Sequence, residues 1–408
     1  MLRPFLFNLL LLVMFSSQAA EFSAIFRVFP EYHHANSDSS FLIPKPYHEF
    51  NQYRGRQEIE ASLQAGEFNA LATTRTVLED RSKPDYESLL NELYFDSVIA
   101  DYDVTLGKKI MSWGVGYGFR PLDVLQREDR RLLYAHTLEG VPLLAWDYFA
   151  DNGSAFTLAY VNPLRGQQDE HIDEESFAMK YYGLWGNMDI HAVARLSERN
   201  KGETGIGFAH VLNDALEWHG SILYQYRYQK WLNRLSDSSL LATDNPWQPQ
   251  YFDNGINALL GFTWTHTSGI ALLGEFWFDD SAYTQTEWED LRQLTQNQLK
   301  QLGTVPDGAI YNNIGTSSQF FSQQNLLQQN LLLRLSSDGD NVDSALDWLY
   351  TPQDGGWVLT ASLKYEFSQQ HIELGARTFG GQSDSAYKAI PEDLMIYLSW
   401  QIAFMSKK

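Results

Sequence analysis

The chain has no cysteine in its 408 residues, so neither disulfide staples nor thiolate metal sites contribute to it. Positive charge is also scarce. The 30 Lys and Arg stand against 51 Asp and Glu, giving a formal charge of −21. A phosphate backbone needs a basic face, and this balance argues against nucleic acid as a partner. Long apolar runs are the third absence. Crossing about 30 Å of hydrocarbon as a helix takes ~20 apolar residues, and no segment after the N-terminal run approaches that, although 44% of the chain is apolar and 14% aromatic. A helical membrane protein does not fit.

What is present begins with Arg3, the apolar run Phe5–Phe15, and the small residues Ser16, Ser17, Ala19 and Ala20. This order is that of a cleaved secretory signal peptide spanning residues 1–20. The run is too short for a membrane anchor. Residues 21–408 then form the mature chain, read as one domain with its first strand beginning within a few residues of the cleavage point and no N-terminal plug.

Within that domain the apolar residues recur at every second position. In 394–404, Ile396, Leu398, Trp400, Ile402 and Phe404 share one face, while Tyr397, Ser399, Gln401 and Ala403 share the other. In 54–65, Ile59, Ala61 and Leu63 oppose Arg54, Arg56, Glu58, Glu60, Ser62 and Gln64. A soluble sandwich alternates too. Three features favour a barrel in a membrane: charged faces persist from strand to strand, Trp and Tyr collect near strand ends, and an export signal is present. The fold expected is all-β, a transmembrane antiparallel up-and-down β-barrel whose charged faces enclose a wet lumen. The strands fall at about 22–32, 54–65, 67–78, 90–99, 101–110, 141–150, 154–162, 175–185, 187–197, 203–212, 215–229, 255–265, 269–279, 328–336, 343–351, 356–367, 370–379 and 394–404. That is eighteen, with sixteen as the alternative because the turns near Ala100 and at Ser337–Val342 are weakly marked.

Connection lengths provide an independent check, since such barrels have short periplasmic turns and long extracellular loops. Short connections occur at Ala65-Gly66, Asp151-Asn152-Gly153, Gly186, Leu212-Asn213-Asp214, Thr267-Ser268 and Ser368-Gln369; the long ones, 33–53, 111–140, 230–254, 280–327 and 380–393, share the other parity. The insertion 280–327 contains Thr284–Leu302, where Trp288, Leu291, Leu294, Leu299 and Leu302 line one side of a helix. That helix is expected to pack on other extracellular loops, with constriction of the pore as the sharper alternative.

Residues 107–124 break the alternation, with Gly107, Gly114, Gly116 and Gly118 permitting close backbone approach and Pro121 ending a ladder. No βαβ context makes this a phosphate loop; a tight loop at the barrel rim, marked by Trp113, Gly114, Pro121 and Asp123, is expected. The order Gly107-Lys108, Ser112-Trp113-Gly114 and Pro121-Leu122-Asp123, then Glu139-Gly140-Val141-Pro142 and a strand, resembles a motif of porin-like outer-membrane barrels of Gram-negative bacteria, including the alginate-export-like porins. The resemblance covers residues 107–142 and implies an outer-membrane channel without naming its substrate. The chain departs from the usual ending of such barrels, because Met405-Ser-Lys-Lys408 follows Phe404. A short helix over Val124–Leu133, carrying Arg127, Arg130 and Arg131, is expected to hold solvated or locally paired charges.

The candidate lumen and selectivity residues are Arg54, Arg56, Glu58, Glu60, Arg75, Arg195, Arg227, Glu275, Arg334 and Arg377. Their mixed signs suit bracing of the wall or a transverse field rather than a one-signed ring. Catalysis is not implied: no Gly-x-Ser-x-Gly elbow occurs, and His191, His219 and His371 face inward on their strands. His33 and His34 point apart and make no metal pair. No cofactor is implied. The expectation is a porin-like channel for small hydrophilic solutes in the bacterial outer membrane, surrounded by lipid and lipopolysaccharide, inserted by the barrel-assembly machinery, and monomeric or a homo-oligomer. The alternative is a non-transport barrel that acts in surface-polysaccharide assembly or scaffolds an envelope complex. Intact-mass analysis of the protein isolated from cell envelopes should give a mature chain starting at Glu21; retention of residues 1–20 would contradict the signal-peptide reading.

Overall fold

The alternating faces close into a single ring. The structure, a computed structural model, describes residues 20–80, 82–126, 128, 138–162, 174–235 and 245–405. Apart from Ala20, the proposed signal peptide lies outside those residues. The strands are β1 (Glu21–Ala35), β2 (Tyr53–Ala65), β3 (Phe68–Glu79), β4 (Asp85–Ile99), β5 (Tyr102–Lys109), β6 (Val141–Phe149), β7 (Ala155–Val161), β8 (Ser176–Trp185), β9 (Met188–Ser197), β10 (Lys201–Asn213), β11 (Leu216–Asn233), β12 (Trp247–Thr265), β13 (Ile270–Asp279), β14 (Gln329–Asp338), β15 (Val342–Thr351), β16 (Gly356–Phe367), β17 (Gln370–Gly380) and β18 (Glu392–Met405). Each pairs antiparallel with its sequence neighbours, and β18 pairs with β1 from Ser23↔Met405 to Ala35↔Glu392. The count is eighteen, so the sixteen-stranded alternative is set aside.

The outward faces are apolar around the ring. On β18, Leu398 is 40% exposed and Tyr397, one residue away, is 3% exposed. Exposed aromatics form a belt at the short-turn end, with Phe22, Phe68, Trp146, Trp185, Trp264 and Phe404 among them, and Tyr53, Tyr86, Tyr226 and Tyr251 mark the other end. Two aromatic belts enclosing an aliphatic band match the two interfaces of a bilayer. Of the two uncertain turns, the first is Ala100-Asp101, both residues left-handed at φ 51° and 69°, a hairpin geometry that follows the twist of the flanking strands. The second is the three-residue turn 339–341.

The insertion between β13 and β14 folds as two helices, α1 (Gln285–Leu299) and α2 (Asp307–Ser317), followed by a 3-10 turn at Ser318–Ser322. Helix α1 starts at a capping box: the Thr284 side chain accepts from the Glu287 N–H, and the Glu287 carboxylate accepts from the Thr284 N–H. Its apolar side packs as expected on other loops, with Trp288 and Leu291 buried against Phe41, Trp247, Phe320 and Tyr387. The second helix was not expected; Gly308 and Gly315 and a run of polar residues hide its periodicity.

Replacing the lipid-facing Leu398 with arginine should lower barrel stability by ~2–4 kcal/mol if that position sits at the bilayer midplane. Urea unfolding in lipid vesicles measures this, and an unchanged midpoint would place Leu398 away from hydrocarbon.

Candidate functional site

The segment between β5 and β6 was expected at the rim and instead turns into the lumen. Gly107, two residues before the end of β5, holds φ +137°, and a Cβ there would lie 2.3 Å from the Leu93 carbonyl oxygen. Its first bend is organised by Asp123, buried at the loop's far end. The carboxylate accepts from the Trp113 N–H at 2.5 Å, the Gly114 N–H at 2.6 Å and the Ser112 hydroxyl at 3.2 Å. Burial pushes the Asp123 carboxyl above the usual range, while these hydrogen bonds and Arg120 pull it down. Pro121 is buried beside it, and Arg120 ties the bend together by donating to the Gly116 carbonyl and the Ser112 hydroxyl.

The tip of the loop is fastened to the barrel wall by Glu275 on β13. One carboxylate oxygen accepts from the Tyr117 N–H and the other from the Gly118 N–H, both at 2.6 Å. His219 Nε2 on β11 lies 2.8 Å from the same carboxylate. Glu275 is therefore a latch for the loop, not a group facing solute as the sequence pattern suggested, and His219 is its support. Beneath the latch the inner wall is apolar. Trp113, Leu122 and Leu125 pack on Leu143, Ala145, Ala159, Val161, Val193 and Leu223, and Phe119 stacks on Trp277 with ring centroids 6.0 Å apart. Side chains of Leu122 lie where a Cβ on Gly205 or Gly207 would be, at 2.5 and 2.8 Å, so those glycines make room for the loop.

This corrects one expectation: the inward faces of β6 through β14 are not uniformly polar. A signal was present in the sequence. Val141–Ala145 and Leu331–Leu333 are apolar at successive positions, the pattern of strands covered on both sides. The expected helix over Val124–Leu133 is also corrected where it can be seen, because Val124–Gln126 are irregular; Arg127, Arg130 and Arg131 lie outside the described residues.

The remaining wall is charged and leaves an open space. A cavity of about 890 Å³ runs along β14 to β18, from Phe321 and Tyr387 at the loop end to Asp338 and Asp343 at the short-turn end. Tyr117 and Gly118 form its opposite side. Arg334 and Arg377 line it, as do Asp347, Lys364 and Glu373. Arg334 donates to both oxygens of Asp347 at 2.8 and 2.9 Å, with its guanidinium 5.1 Å from the centre of the Tyr117 ring. Lys364 lies 3.2 Å from Asp343, and Arg377 donates to the Thr360 hydroxyl.

The other sequence candidates are distributed elsewhere. Glu58 and Glu60 both receive Arg27 Nη1, at 2.8 and 2.9 Å, and brace the β1–β2 seam. Arg56 is buried with its guanidinium 4.7 Å from the Phe29 ring. Arg54, Arg75 and Arg227 pair along the wall with Glu79, Glu87 and Asp253. Arg195 is buried against Glu203 and Glu174, beside a second cavity. His33 lies 2.8 Å from Glu392 and His34 2.7 Å from Asp393, and no metal-binding cluster occurs among the described residues.

A closed antiparallel barrel of eighteen strands is the fold of outer-membrane porins. Solved structures agree. OccAB1 of Acinetobacter baumannii superposes with a TM-score of 0.59 at 8% identity, over 95% of this chain and 97% of that one. OccK8 (OprE) of Pseudomonas aeruginosa gives 0.57 at 9% identity, over 95% and 98%. OccK5 (OpdH) of the same organism gives 0.56 at 11%, over 96% and 99%. These are Occ/OprD-family outer-membrane porins, and the likeness is one of fold. No protein-family model matches the chain, and no curated protein does.

Glu275→Ala removes two charge-assisted hydrogen bonds, each worth ~1.5–3 kcal/mol. The expected outcome is release of residues 112–120 to added protease, with the barrel still resistant to denaturation by detergent. A loop that stays protected would show that the apolar packing alone retains it.

Proposed function

We propose that this chain is an outer-membrane channel that passes small hydrophilic solutes. The observation carrying the reading is the cavity along β14 to β18, which reaches from the loop end of the barrel to the short-turn end. Its lining alternates Arg334, Lys364 and Arg377 with Asp343, Asp347 and Glu373, so an ion or polar solute exchanges hydration for fixed dipoles along its path. Short turns on one side and long loops on the other orient the barrel with the turns in the periplasm. Loop 110–126 narrows the lumen from one side and gives the passage its Tyr117 edge.

The same reading surrounds the chain with lipid and lipopolysaccharide, assigns its insertion to the barrel-assembly machinery, and leaves it non-enzymatic. The narrower resemblance to alginate-export-like porins rests on residues 107–142 and adds no solute. A second reading has one observation in its favour: loop 110–126 packs on the inner wall and the helices pack among the loops at the same end of the barrel, as in a scaffold barrel that conducts nothing.

Conductance separates the two. Purified protein in planar bilayers should give a steady current, and its absence would favour the scaffold. In a salt gradient, Arg334→Gln should move the reversal potential towards cation selectivity, because Asp347 loses the cation that neutralises it; a shift towards anions would contradict the assigned lining.

A further inference from the structure

Leu260, Leu346, Leu363 and Leu398 typify the outer wall between the two aromatic belts: large, apolar and open to lipid. One sector departs from this. On β2 and β3 the outward positions include Gln57, which alternates with the buried Arg56 and Glu58, and Thr74 and Thr76, which follow the buried Thr73. Gln57 lies four residues from Tyr53 of the belt, on the same face of β2, which sets it about 10 Å inside the hydrocarbon, with Ile59 and Leu63 deeper still. Thr76 shares its rung with Gln57, and Thr74 shares the next with Ile59. We infer that this sector is the contact face of a homodimer, covered by the same sector of a second copy of the chain about a two-fold axis along the membrane normal.

The amide is what calls for a partner. Acyl chains offer no hydrogen bond, so a polar group facing them stays unsatisfied unless protein covers it. Elsewhere on the outer wall the chain supplies that cover itself. The Tyr224 hydroxyl donates to Asn254 Oδ1 at 2.6 Å, the Trp400 indole N–H donates to Gln370 Oε1 at 3.1 Å, and the Thr74 and Ser88 hydroxyls lie 3.2 Å apart. Gln57 is exposed, and neither its amide nor the Thr76 hydroxyl makes a hydrogen bond among the described residues.

The occupant follows from self-complementarity. A two-fold contact presents one patch from both sides, so its groups must satisfy one another. With the axis between β2 and β3, Gln57 of each copy meets Thr76 of the other, and because the two residues share a rung they lie at nearly the same depth. An amide donates and accepts, and so does a hydroxyl, so two reciprocal pairs close without a leftover group. The outward neighbours Val28, Ile59 and Leu78 bring no charge that would repel a copy or draw a lipid headgroup. On the periplasmic side of the amide, Ala24, Ala61 and Ala72 follow one another across β1, β2 and β3, which lets the second wall come close enough for these bonds.

Because the chain has no cysteine of its own, one introduced thiol reports on one place. Ile59→Cys, on the face of Gln57 and 52% exposed, is expected to yield a species of twice the chain mass when cell envelopes are treated with a short bis-maleimide. Leu260→Cys, 53% exposed on β12 and nearly opposite around the ring, should stay monomeric. Adding Gln57→Leu to Ile59→Cys should remove most of the doubled species, and sedimentation of the detergent-solubilised variant should show dissociation at about tenfold higher protein concentration, the loss of two polar bonds in hydrocarbon. Leu78→Cys on β3 serves as the reporter if Ile59→Cys does not insert. No doubled species from either reporter, a cross-link to a chain of different mass, equal cross-linking from Leu260→Cys, or a dimer indifferent to Gln57→Leu would each overturn the assignment. No current is read, so the result is separate from that of the channel reading.

Discussion

A strand in hydrocarbon has no solvent to which it can send an unmade N–H or C=O bond, so every edge must find a partner within the protein. Here the last edge is joined to the first by the β18–β1 ladder, and side chains reinforce the join. Arg27 on β1 reaches Gln401 on β18 with its Nε and Glu58 and Glu60 on β2 with its Nη1. A single guanidinium thus ties three neighbouring strands at the seam where the two ends of the chain meet. The fork geometry of arginine is suited to this, because its donors point in fixed, separate directions.

Once the ring is closed, its interior need not be uniform. The wall from β6 to β11 carries an apolar patch where loop 110–126 covers it, and the wall from β14 to β18 is charged where it borders open space. The division also explains why the inward charges behave so differently. Arg334 and Arg377 border open space, whereas Arg195 and Arg56 are embedded in protein and serve the wall itself.

The barrel could be read from the sequence because its physics is local. Period-two alternation, two-residue turns and the parity of the long connections each depend on residues close together in the chain, and all eighteen strands were located from them. The loop was legible only in part. Gly107, Gly114, Gly116 and Pro121 announced an unusual backbone, and Asp123 was marked as part of it, but its inward course is set by Glu275, about 157 residues further on. No spacing rule links those positions. Glu275 was placed correctly on an inward face and given the wrong task, since a carboxylate that binds water and one that binds two backbone N–H groups look alike in an alternating pattern.

The clasp between Glu275 and the Tyr117–Gly118 backbone has a bearing on biogenesis. Because it joins β13 to a segment emerging after β5, the inner partition cannot be secured until more than half of the hairpins are in place. Contacts of such long range carry the loop-closure entropy that slows folding. Trp113 and Leu122 find their apolar cover on β6 to β11, but Phe119 has no Trp277 to stack on, and the loop tip no carboxylate to hold it, until the thirteenth strand is in place.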